Sequence, residues 1–244
     1  MIGKKALVTG AGSGIGEAVA RKLAAEGAHL VLADVNLENV SRVASEIGGE
    51  VWQVDLSKPQ ELADLKLDID ILVNNAGVQT VSPIHEFDPE RFSFMLNLMT
   101  VAPFMLIRAS LPSMYSKGWG RIINMSSIHG LGASPFKSAY VTAKHGLEGL
   151  SKVTALEGAP HGVTSNCINP AYVRTPLVEM QIKDQAKNHN ISEDEVVEKI
   201  LLAKAAVKRL IEPAEVAELA AYLCSDAAQS VTGSSFRMDG GWWT

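Results

Sequence analysis

Tyr140 and Lys144 stand four residues apart in a segment of helical pattern, which places a phenol and an ammonium on one helix face, one turn apart. A phenol with a pKa of about 10 is a weak base at neutral pH. A nearby cation favours the phenolate and lowers that pKa, so such a pair could exchange a proton with an alcohol or a ketone. Many exposed helix faces carry a Tyr and a Lys at this spacing, so the rest of the chain must decide whether the pair is catalytic.

The elements that would position this pair alternate along the chain, with short apolar runs separated by longer segments of helical period. Strands are predicted at residues 6–8, 30–33, 51–54, 69–73, 122–125, 164–168 and 234–238, and helices at residues 14–26, 37–47, 89–107, 138–157 and 213–225. This alternation predicts right-handed crossovers and a parallel sheet covered on both faces. We expect an α/β fold of one domain, residues 1–244, built on a Rossmann-type, doubly wound sheet of about seven strands. Residues 57–68 have room for a helix of only two turns.

One segment interrupts the alternation. Residues 177–212 carry two helical patterns, 177–186 and 193–210, between a strand and the final strand–helix unit. An insertion of this length is more often a lid than a structureless loop. We expect a helical substrate lid that covers a site at the carboxyl ends of the strands.

Composition limits the classes of partner. The chain has 244 residues and a net charge of −5, which gives no electrostatic reason to expect nucleic acid or an anionic membrane. The N-terminus enters a strand at once, no signal peptide is recognisable, and no apolar run approaches a membrane span, so we expect a cytoplasmic location. Cys167 and Cys224 are predicted to be buried thiols. The sequence predicts no metal site, because five histidines show no ligand spacing: His29, His85, His145, His161 and His189.

A glycine-rich segment, residues 9–16 with the sequence TGAGSGIG, follows the first predicted strand and opens the first helix. Glycines let the backbone approach a pyrophosphate, whose charge lies at the helix N-terminus. Asp34 ends the second strand, where a carboxylate can accept both hydroxyls of an adenosine ribose and would repel a 2′-phosphate. Since neither Ser13 nor Val35 supplies a cation, we predict that the cofactor is NAD rather than NADP.

Two further segments end strands on the same edge of the predicted sheet. Asp55 and Leu56 could flank the adenine, or Asp55 could cap the short helix that follows. In the NNAG segment, residues 74–77, small residues allow the backbone to approach a bound coenzyme closely, and an Asn amide could link adjacent strands. The coenzyme-binding residues predicted from these segments are Gly10, Ser13, Gly14, Ile15, Gly16, Asp34, Asp55, Leu56, Asn75, Ala76 and Gly77.

These motifs occur in one order: TGAGSGIG, NNAG, Asn97, Ser127, the Tyr140–Lys144 pair and Asn169-Pro170. Together they resemble a classical short-chain dehydrogenase/reductase, and the resemblance runs from Lys4 to the C-terminus. It implies a seven-stranded sheet, a homotetramer and catalytic roles for Asn97, Ser127, Tyr140 and Lys144. It also implies that Tyr140, Lys144, Pro170, Val173 and Thr175 contact the coenzyme. The family usually has Pro-Gly where this chain has Pro170-Ala171.

The resemblance implies a role for each catalytic residue. Tyr140 exchanges the substrate proton, Lys144 holds the phenolate form and bonds the nicotinamide ribose, and Ser127 donates to the substrate oxygen. Ser126 competes for the serine role, although the family's interval to the tyrosine favours Ser127. Asn97 would hold a water that links Lys144 to solvent, unless its side chain bonds only to its own neighbours.

Four polar residues near the expected mouth of the site point to a small carboxylate: Gln79, His129, Lys137 and Gln181. This set is similar to bacterial D-3-hydroxybutyrate dehydrogenases, in which the matching residues bind the substrate carboxylate and two Trp residues enclose the methyl end. Trp242 matches the second Trp, and Tyr172 stands where the first is expected. The predicted substrate-binding residues are Gln79, Ser127, His129, Lys137, Tyr140, Tyr172, Gln181 and Trp242.

Other interpretations remain open from the sequence. Lys137 could be a solvated lysine, His129 a loop histidine, and the two Gln residues surface amides. The substrate could be another small hydroxy acid, an alcohol or a 3-oxoacyl compound. A non-catalytic NAD-sensing protein could keep the same fold, although this chain retains Ser127, Tyr140 and Lys144.

Overall fold

Seven parallel strands form one sheet in a computed structural model that describes residues 1–243 and every side chain in that range except that of Asn188. The strands are β1 (Lys5–Thr9), β2 (His29–Asp34), β3 (Glu50–Gln53), β4 (Ile71–Asn74), β5 (Gly120–Met125), β6 (Val163–Pro170) and β7 (Ser235–Met238). Their order is β3-β2-β1-β4-β5-β6-β7. The prediction of a doubly wound parallel sheet of about seven strands is confirmed.

Helices cover both faces of the sheet, which explains the nearly continuous apolar strands. They are α1 (Gly14–Ala25), α2 (Leu37–Ile47), α3 (Pro89–Leu96), α4 (Ala102–Lys117), α5 (Ser138–Gly158), α6 (Pro176–His189), α7 (Glu193–Val196) and α8 (Pro213–Cys224). Val8 packs with side chains of α1, α2 and α8, whereas its neighbour Leu7 packs on the opposite face with side chains of α4. The two-residue period of a strand thus divides the core into two layers.

Three predicted helices differ from the structure. Residues 57–68 contain only a single 3₁₀ turn, Pro59–Leu62, because the chain beyond it bonds to α4 instead of continuing a helix, with the amide of Leu67 donating to the carbonyl of Ala109 at 3.0 Å. The helix predicted over 193–210 ends after a π turn, Val197–Leu201, and the Lys208 ammonium bonds the carbonyls of Leu202 and Ala203 just beyond it. The helix predicted over 89–107 continues through a π turn, Asn97–Val101, to Lys117, where Gly118 in the left-handed conformation ends it.

The continuous helical stretch Pro89–Lys117 is long and apolar enough to cross a membrane, with a mean hydropathy of 1.5 over its most apolar window. The prediction that no apolar run approaches span length is therefore wrong for this segment. Half of that window is buried inside the protein, where α4 packs against β4 and β5. Such burial is expected of the core helix of an α/β domain.

Helices α6 and α7 form a small unit with its own apolar cluster, which includes Ile182, Val196 and Leu201. A single parallel β-bridge between Val173 and Ile211 joins the two ends of this insertion. Arg174 lies beside that bridge and forms ion pairs of 3.0 Å with Glu179 and with Glu212. The β-bridge and these ion pairs therefore hold the two ends of the insertion together. Its closure over a substrate stays a prediction.

Candidate active site

A cleft of about 520 Å³ runs along the carboxyl ends of β1, β2 and β4 and reaches the Tyr140–Lys144 pair. Most residues predicted to bind the coenzyme line it: Gly10, Ser13, Gly14, Ile15, Asp34, Asp55, Leu56, Asn75, Ala76, Gly77, Tyr140, Lys144 and Thr175. Apolar residues that were not predicted to bind the coenzyme also line it, among them Val54, Val78, Phe94 and Leu98. Their only sequence signal is their place just after a strand or on α3 and its π turn.

The turn before α1 fits a pyrophosphate. Ser13 occupies the N-cap position of α1 without a side-chain cap bond, whereas α2 is capped by the side chain of Asn36. The first amides of α1 therefore remain available to an anion. Gly10 and Gly14 have φ values of +63° and +58°, which L side chains rarely adopt. A Cβ on Gly16 would collide with the carbonyl oxygen of Gly10, so Gly16 allows α1 to approach the turn, although it lies outside the residues that line the cleft.

Asp34 is fixed at the end of β2 by the glycine turn. Its two carboxylate oxygens accept the amides of Gly12 and Asn36, each at 2.9 Å. Arg42 lies nearby, with a guanidinium nitrogen 3.4 Å from the carbonyl of Gly12. That guanidinium is already paired with Glu17 at 2.8 Å and with Glu46 at 3.5 Å. Arg42 is therefore part of a cluster in which Arg21 pairs with the same two carboxylates.

Asn75 ties β4 to the glycine turn. Its side-chain amide donates to the carbonyls of Thr9 at 2.9 Å and Gly10 at 3.2 Å, and its backbone amide donates to the Thr9 hydroxyl. The expectation that an Asn amide joins adjacent strands therefore agrees with the structure. Thr9, which the sequence analysis passed over, organises this corner, because its hydroxyl also accepts the amide of Ala76.

Asp55 lines the cleft and also organises its own loop. One carboxylate oxygen accepts the backbone amide of Ser57 at 3.0 Å and its hydroxyl at 2.6 Å. These bonds lower the pKa of Asp55 and keep it ionised. Lys58, not Asp55, occupies the N-cap position of the following 3₁₀ turn, so the capping interpretation is wrong.

The Tyr140–Lys144 pair differs electrostatically from the sequence expectation. The Lys144 ammonium donates to the carbonyl of Met125 at 2.6 Å and lies 5.6 Å from the Tyr140 ring centre. Burial raises the pKa of Tyr140, and a hydrogen bond with Ser127 only partly opposes that rise. Burial also lowers the pKa of Lys144 to about 8. The predicted fall in the tyrosine pKa is therefore absent from this arrangement, because removal of the phenol from water outweighs the opposing effect of Ser127.

The two candidate serines occupy different environments. The Ser127 hydroxyl accepts the amide of His129 at 3.2 Å and lies 3.4 Å from the carbonyl of Pro170, and Ser127 is close enough to Tyr140 to oppose the rise of the phenol pKa. The Ser126 hydroxyl is buried and finds no partner among the described residues. The geometry agrees with the sequence preference for Ser127 beside the tyrosine.

A second, smaller cleft of about 120 Å³ adjoins Tyr140. It brings together the four predicted carboxylate-binding residues and Ser127, Tyr140 and Tyr172. The residues concerned are Gln79, His129, Lys137 and Gln181, with Pro170, Val173 and Thr175 on the same wall. Leu177 and Val178 of α6 also line it, together with Ile15, Ser126, Ile128 and Ala171. Ile128 was not predicted, because its only signal is its place next to Ser127.

Lys137 and His129 contribute differently to this cleft. Burial lowers the pKa of His129 to about 4, so its imidazole is neutral at physiological pH, and Nε2 lies 3.0 Å from the Ser134 hydroxyl. Burial also lowers the pKa of Lys137. The Lys137 ammonium lies 5.9 Å from the centre of the Tyr172 ring. A charged Lys137 would be the cation available to a carboxylate, and His129 would act as a neutral hydrogen-bonding group.

Four predicted site residues lie outside the cleft in which they were expected. Asn97 lies outside both clefts, at the π turn between α3 and α4, and its carbonyl accepts the Ala102 amide. Trp242 lines a neighbouring cavity on the other side of Tyr172, 6.5 Å from the His129 ring. Pro170 and Val173 line the smaller cleft rather than the larger one. Near them Ala171 has a negative φ, so the left-handed freedom of a glycine is not needed there.

Comparison with known proteins identifies the family of this chain. The family model described as Enoyl-(Acyl carrier protein) reductase matches residues 10–243. D-beta-hydroxybutyrate dehydrogenase of Rhizobium meliloti (strain 1021) is 46% identical over 98% of both chains. The chain belongs to the short-chain dehydrogenase/reductase family. The motif-based resemblance is thereby confirmed.

Two further members of the short-chain dehydrogenase/reductase family are informative. D-beta-hydroxybutyrate dehydrogenase of Cupriavidus necator is 42% identical over 98% of both chains. The crystal structure of L-sorbose reductase from Gluconobacter frateurii, complexed with NADPH and L-sorbose, matches with a TM-score of 0.91 at 31% identity, covering 99% of this chain and 97% of that chain. The protein is thus an oxidoreductase of a family that uses a nicotinamide coenzyme.

Proposed function

We propose that this short-chain dehydrogenase/reductase catalyses the reversible, NAD-dependent oxidation of (R)-3-hydroxybutyrate to acetoacetate. The observation that carries the proposal is the convergence of Lys137, Gln79, Gln181 and His129 beside Ser127 and Tyr140 in one small cleft. At about 120 Å³, this cleft is far smaller than the roughly 300–1,000 Å³ of drug-sized ligand sites. The D-beta-hydroxybutyrate dehydrogenases at 42% and 46% identity support the same substrate.

The donor set fits a hydroxy acid bound at both ends. Lys137 and the two glutamine amides supply hydrogen-bond donors for the carboxylate. Ser127 and Tyr140 hold the C3 oxygen at the other end of the substrate. The aromatic ring of Tyr172 and the side chains of Leu177 and Val178 leave an apolar wall for the methyl group.

Proton transfer is then assigned to Tyr140. As the phenol, it gives its proton to the oxygen of acetoacetate, and as the phenolate it takes the proton from hydroxybutyrate. Ser127 donates a hydrogen bond to the same oxygen, where charge changes in the transition state. A nicotinamide coenzyme, if held by the residues that line the larger cleft, would supply the hydride acceptor for oxidation and the hydride donor for reduction. Because burial raises the pKa of Tyr140, its phenol form predominates near neutral pH, and oxidation requires the charge of Lys144 to favour the phenolate.

NAD is proposed as the coenzyme on the basis of Asp34. A carboxylate at the end of β2 accepts ribose hydroxyls and repels a 2′-phosphate. Arg42, the cation nearest to it, is balanced by Glu17 and Glu46. A cytoplasmic homotetramer with a role in ketone-body metabolism is part of the same proposal. Exposed apolar side chains on α4 and α5, Phe104, Val153 and Leu156 among them, offer surfaces for self-association.

A second candidate substrate is a small sugar or sugar acid. The structural match to L-sorbose reductase favours it, and the phenol of Tyr172 would add a polar group where a substrate hydroxyl could lie. The charged Lys137 in the small cleft argues for a carboxylate in either case.

The proposal is tested by following NADH formation with (R)- and (S)-3-hydroxybutyrate separately. We expect turnover of the (R) enantiomer and formation of one acetoacetate per NADH. No turnover of either enantiomer, together with oxidation of a bulky sterol or sugar alcohol, would contradict it.

A further inference from the structure

Glu148 lies one helical turn beyond Lys144 on α5 and is almost fully buried, with 4% of its surface exposed. One of its carboxylate oxygens accepts the side-chain amide of Asn169 at 2.5 Å, and the other accepts the hydroxyl of Ser235 at 2.6 Å. A buried carboxylate is costly unless it is hydrogen-bonded and faces an opposite charge. Its position directly behind the catalytic pair therefore calls for a physical reason.

The hydrogen bonds connect Glu148 to the serine beside Tyr140. The side-chain nitrogen of Asn169 that donates to Glu148 also donates to the carbonyl oxygen of Ser127, at 2.9 Å. Ser127 begins the turn after β5, where its own hydroxyl accepts the amide of His129. Through a single amide group, Glu148 thus fixes the main chain that carries the substrate-facing hydroxyl.

Glu148 also lies one helical turn from Lys144 on α5, where its carboxylate raises the pKa of Lys144 against the larger effect of burial. The titratable groups that bear on the Lys144 ammonium are Glu148 on α5 and Cys167 on β6. Burial raises the pKa of the Cys167 thiol far above its usual value, so that group stays neutral. Among these neighbours, Glu148 is left as the negative charge that opposes the loss of the lysine proton in a dry site.

We propose that Glu148 is a positioning residue for hydride transfer, which holds Lys144 in its charged form and, through Asn169, fixes the orientation of Ser127. The inference rests on the proposed function, in that Tyr140, Lys144 and Ser127 are taken to be the reacting groups. With Glu148 included, the site extends one turn beyond Lys144 along α5. Along that helix the charges would then alternate from phenolate to ammonium to carboxylate.

The test is Glu148→Gln, which keeps the size and most hydrogen-bonding capacity of the side chain and removes its charge. Glu157→Gln is the matched control, since Glu157 is an exposed carboxylate on the same helix. In full-length protein with and without NAD, the titration of Lys144 is followed by NMR of its ¹³Cε, assigned with Lys144→Arg. We expect the midpoint to fall by about one pH unit in Glu148→Gln and to stay unchanged in Glu157→Gln.

The kinetic counterpart is a fall in kcat of about tenfold for Glu148→Gln, with KM for alcohol and NAD changed by less than about twofold. A Lys144 midpoint equal to that of the wild type in folded Glu148→Gln would overturn the proposal. The NMR measurement needs no substrate, so it stands even if hydroxybutyrate is not turned over, which would contradict only the proposed function. If Glu148→Gln does not fold, the charge of Glu148 is measured in the wild type by ¹³Cδ NMR, with the signal assigned by Glu148→Asp. A protonated Glu148 at neutral pH would overturn the proposal.

Discussion

The ammonium of Lys144 is bonded to the carbonyl of Met125 at 2.6 Å and stands 5.6 Å from the centre of the Tyr140 ring. The lysine therefore acts on the phenol through space rather than by a direct hydrogen bond. Lys144 is buried and Tyr140 is partly buried, and removal from water disfavours the charged form of each. Catalysis would depend on holding the Tyr140 phenolate and the Lys144 ammonium close together in a site where each charge is disfavoured. Substitution of either residue should therefore lower the activity strongly.

Replacement of Tyr140 by Phe removes the proposed acid and base while leaving the ring in place. We expect kcat to fall by about 10²–10⁴-fold and NAD binding, measured by fluorescence titration, to change little. Tyr222→Phe is the control, because Tyr222 is exposed on α8. Retention of most of the kcat in Tyr140→Phe would show that another group transfers the proton.

Replacement of Lys137 by Met removes the proposed carboxylate-binding cation and keeps an apolar stem of similar length. A hydrogen bond to a charged group contributes about 1.5–3 kcal/mol, so KM for the hydroxy acid should rise about 10- to 100-fold while KM for NAD is unchanged. Lys152→Met, at an exposed position of the same helix, should leave both constants unaltered. Equal increases in both KM values for Lys137→Met would place Lys137 outside the substrate site.

Replacement of Asp34 by Arg should reverse the charge that faces the adenosine ribose. We expect kcat/KM for NAD to fall and kcat/KM for NADP to rise, because the 2′-phosphate gains a cation. Asp34→Asn is the control for the loss of charge alone, since it keeps one of the two acceptor oxygens that bond the amides of Gly12 and Asn36. An unchanged coenzyme preference in Asp34→Arg would contradict the ribose assignment.

His129 predicts a pH dependence of stability. Its pKa is about 4 in the folded protein and about 6.5 in an unfolded chain, so only the unfolded chain binds the proton between these values. The free energy of unfolding therefore falls as the pH drops through this window, by about 2 kcal/mol at pH 5 relative to pH 7. In urea unfolding at pH 7 and pH 5, the fall in the free energy of unfolding should be smaller by about that amount in His129→Gln than in the wild type. In the exposed His85→Gln, the fall should equal that of the wild type. Equal losses in wild type and His129→Gln would contradict the buried neutral imidazole.

The fold was predictable because its signals are local. The strands and α1, α2, α5 and α8 follow from apolar runs, helical periods and the glycine turn before Gly14. The π turn at Asn97–Val101 was not predictable, since a single extra residue in a helical turn leaves no mark on the apolar pattern. The end of the last lid helix at Leu201 was also missed, because a tertiary bond from Lys208 satisfies the carbonyls beyond it.

At the site, residue types were predictable and their electrostatics were not. Gln79, His129, Lys137 and Gln181 were singled out by type, and they line one cleft. The raised pKa of Tyr140 depends on how completely the chain buries the ring, which spacing to Lys144 does not reveal. Glu148 was also overlooked, because a carboxylate within a helical pattern gives no sign that it points into the core.

The most direct test compares kcat/KM for (R)-3-hydroxybutyrate and for D-gluconate in the wild-type protein, with NAD and with NADP. We expect (R)-3-hydroxybutyrate with NAD to exceed every other combination by about 100-fold or more. A cleft of about 120 Å³ with the apolar side chains of Leu177 and Val178 suits a short hydroxy acid better than the longer polyol gluconate, and Asp34 would repel the 2′-phosphate of NADP. Oxidation of gluconate without turnover of hydroxybutyrate by either coenzyme would contradict the proposed function.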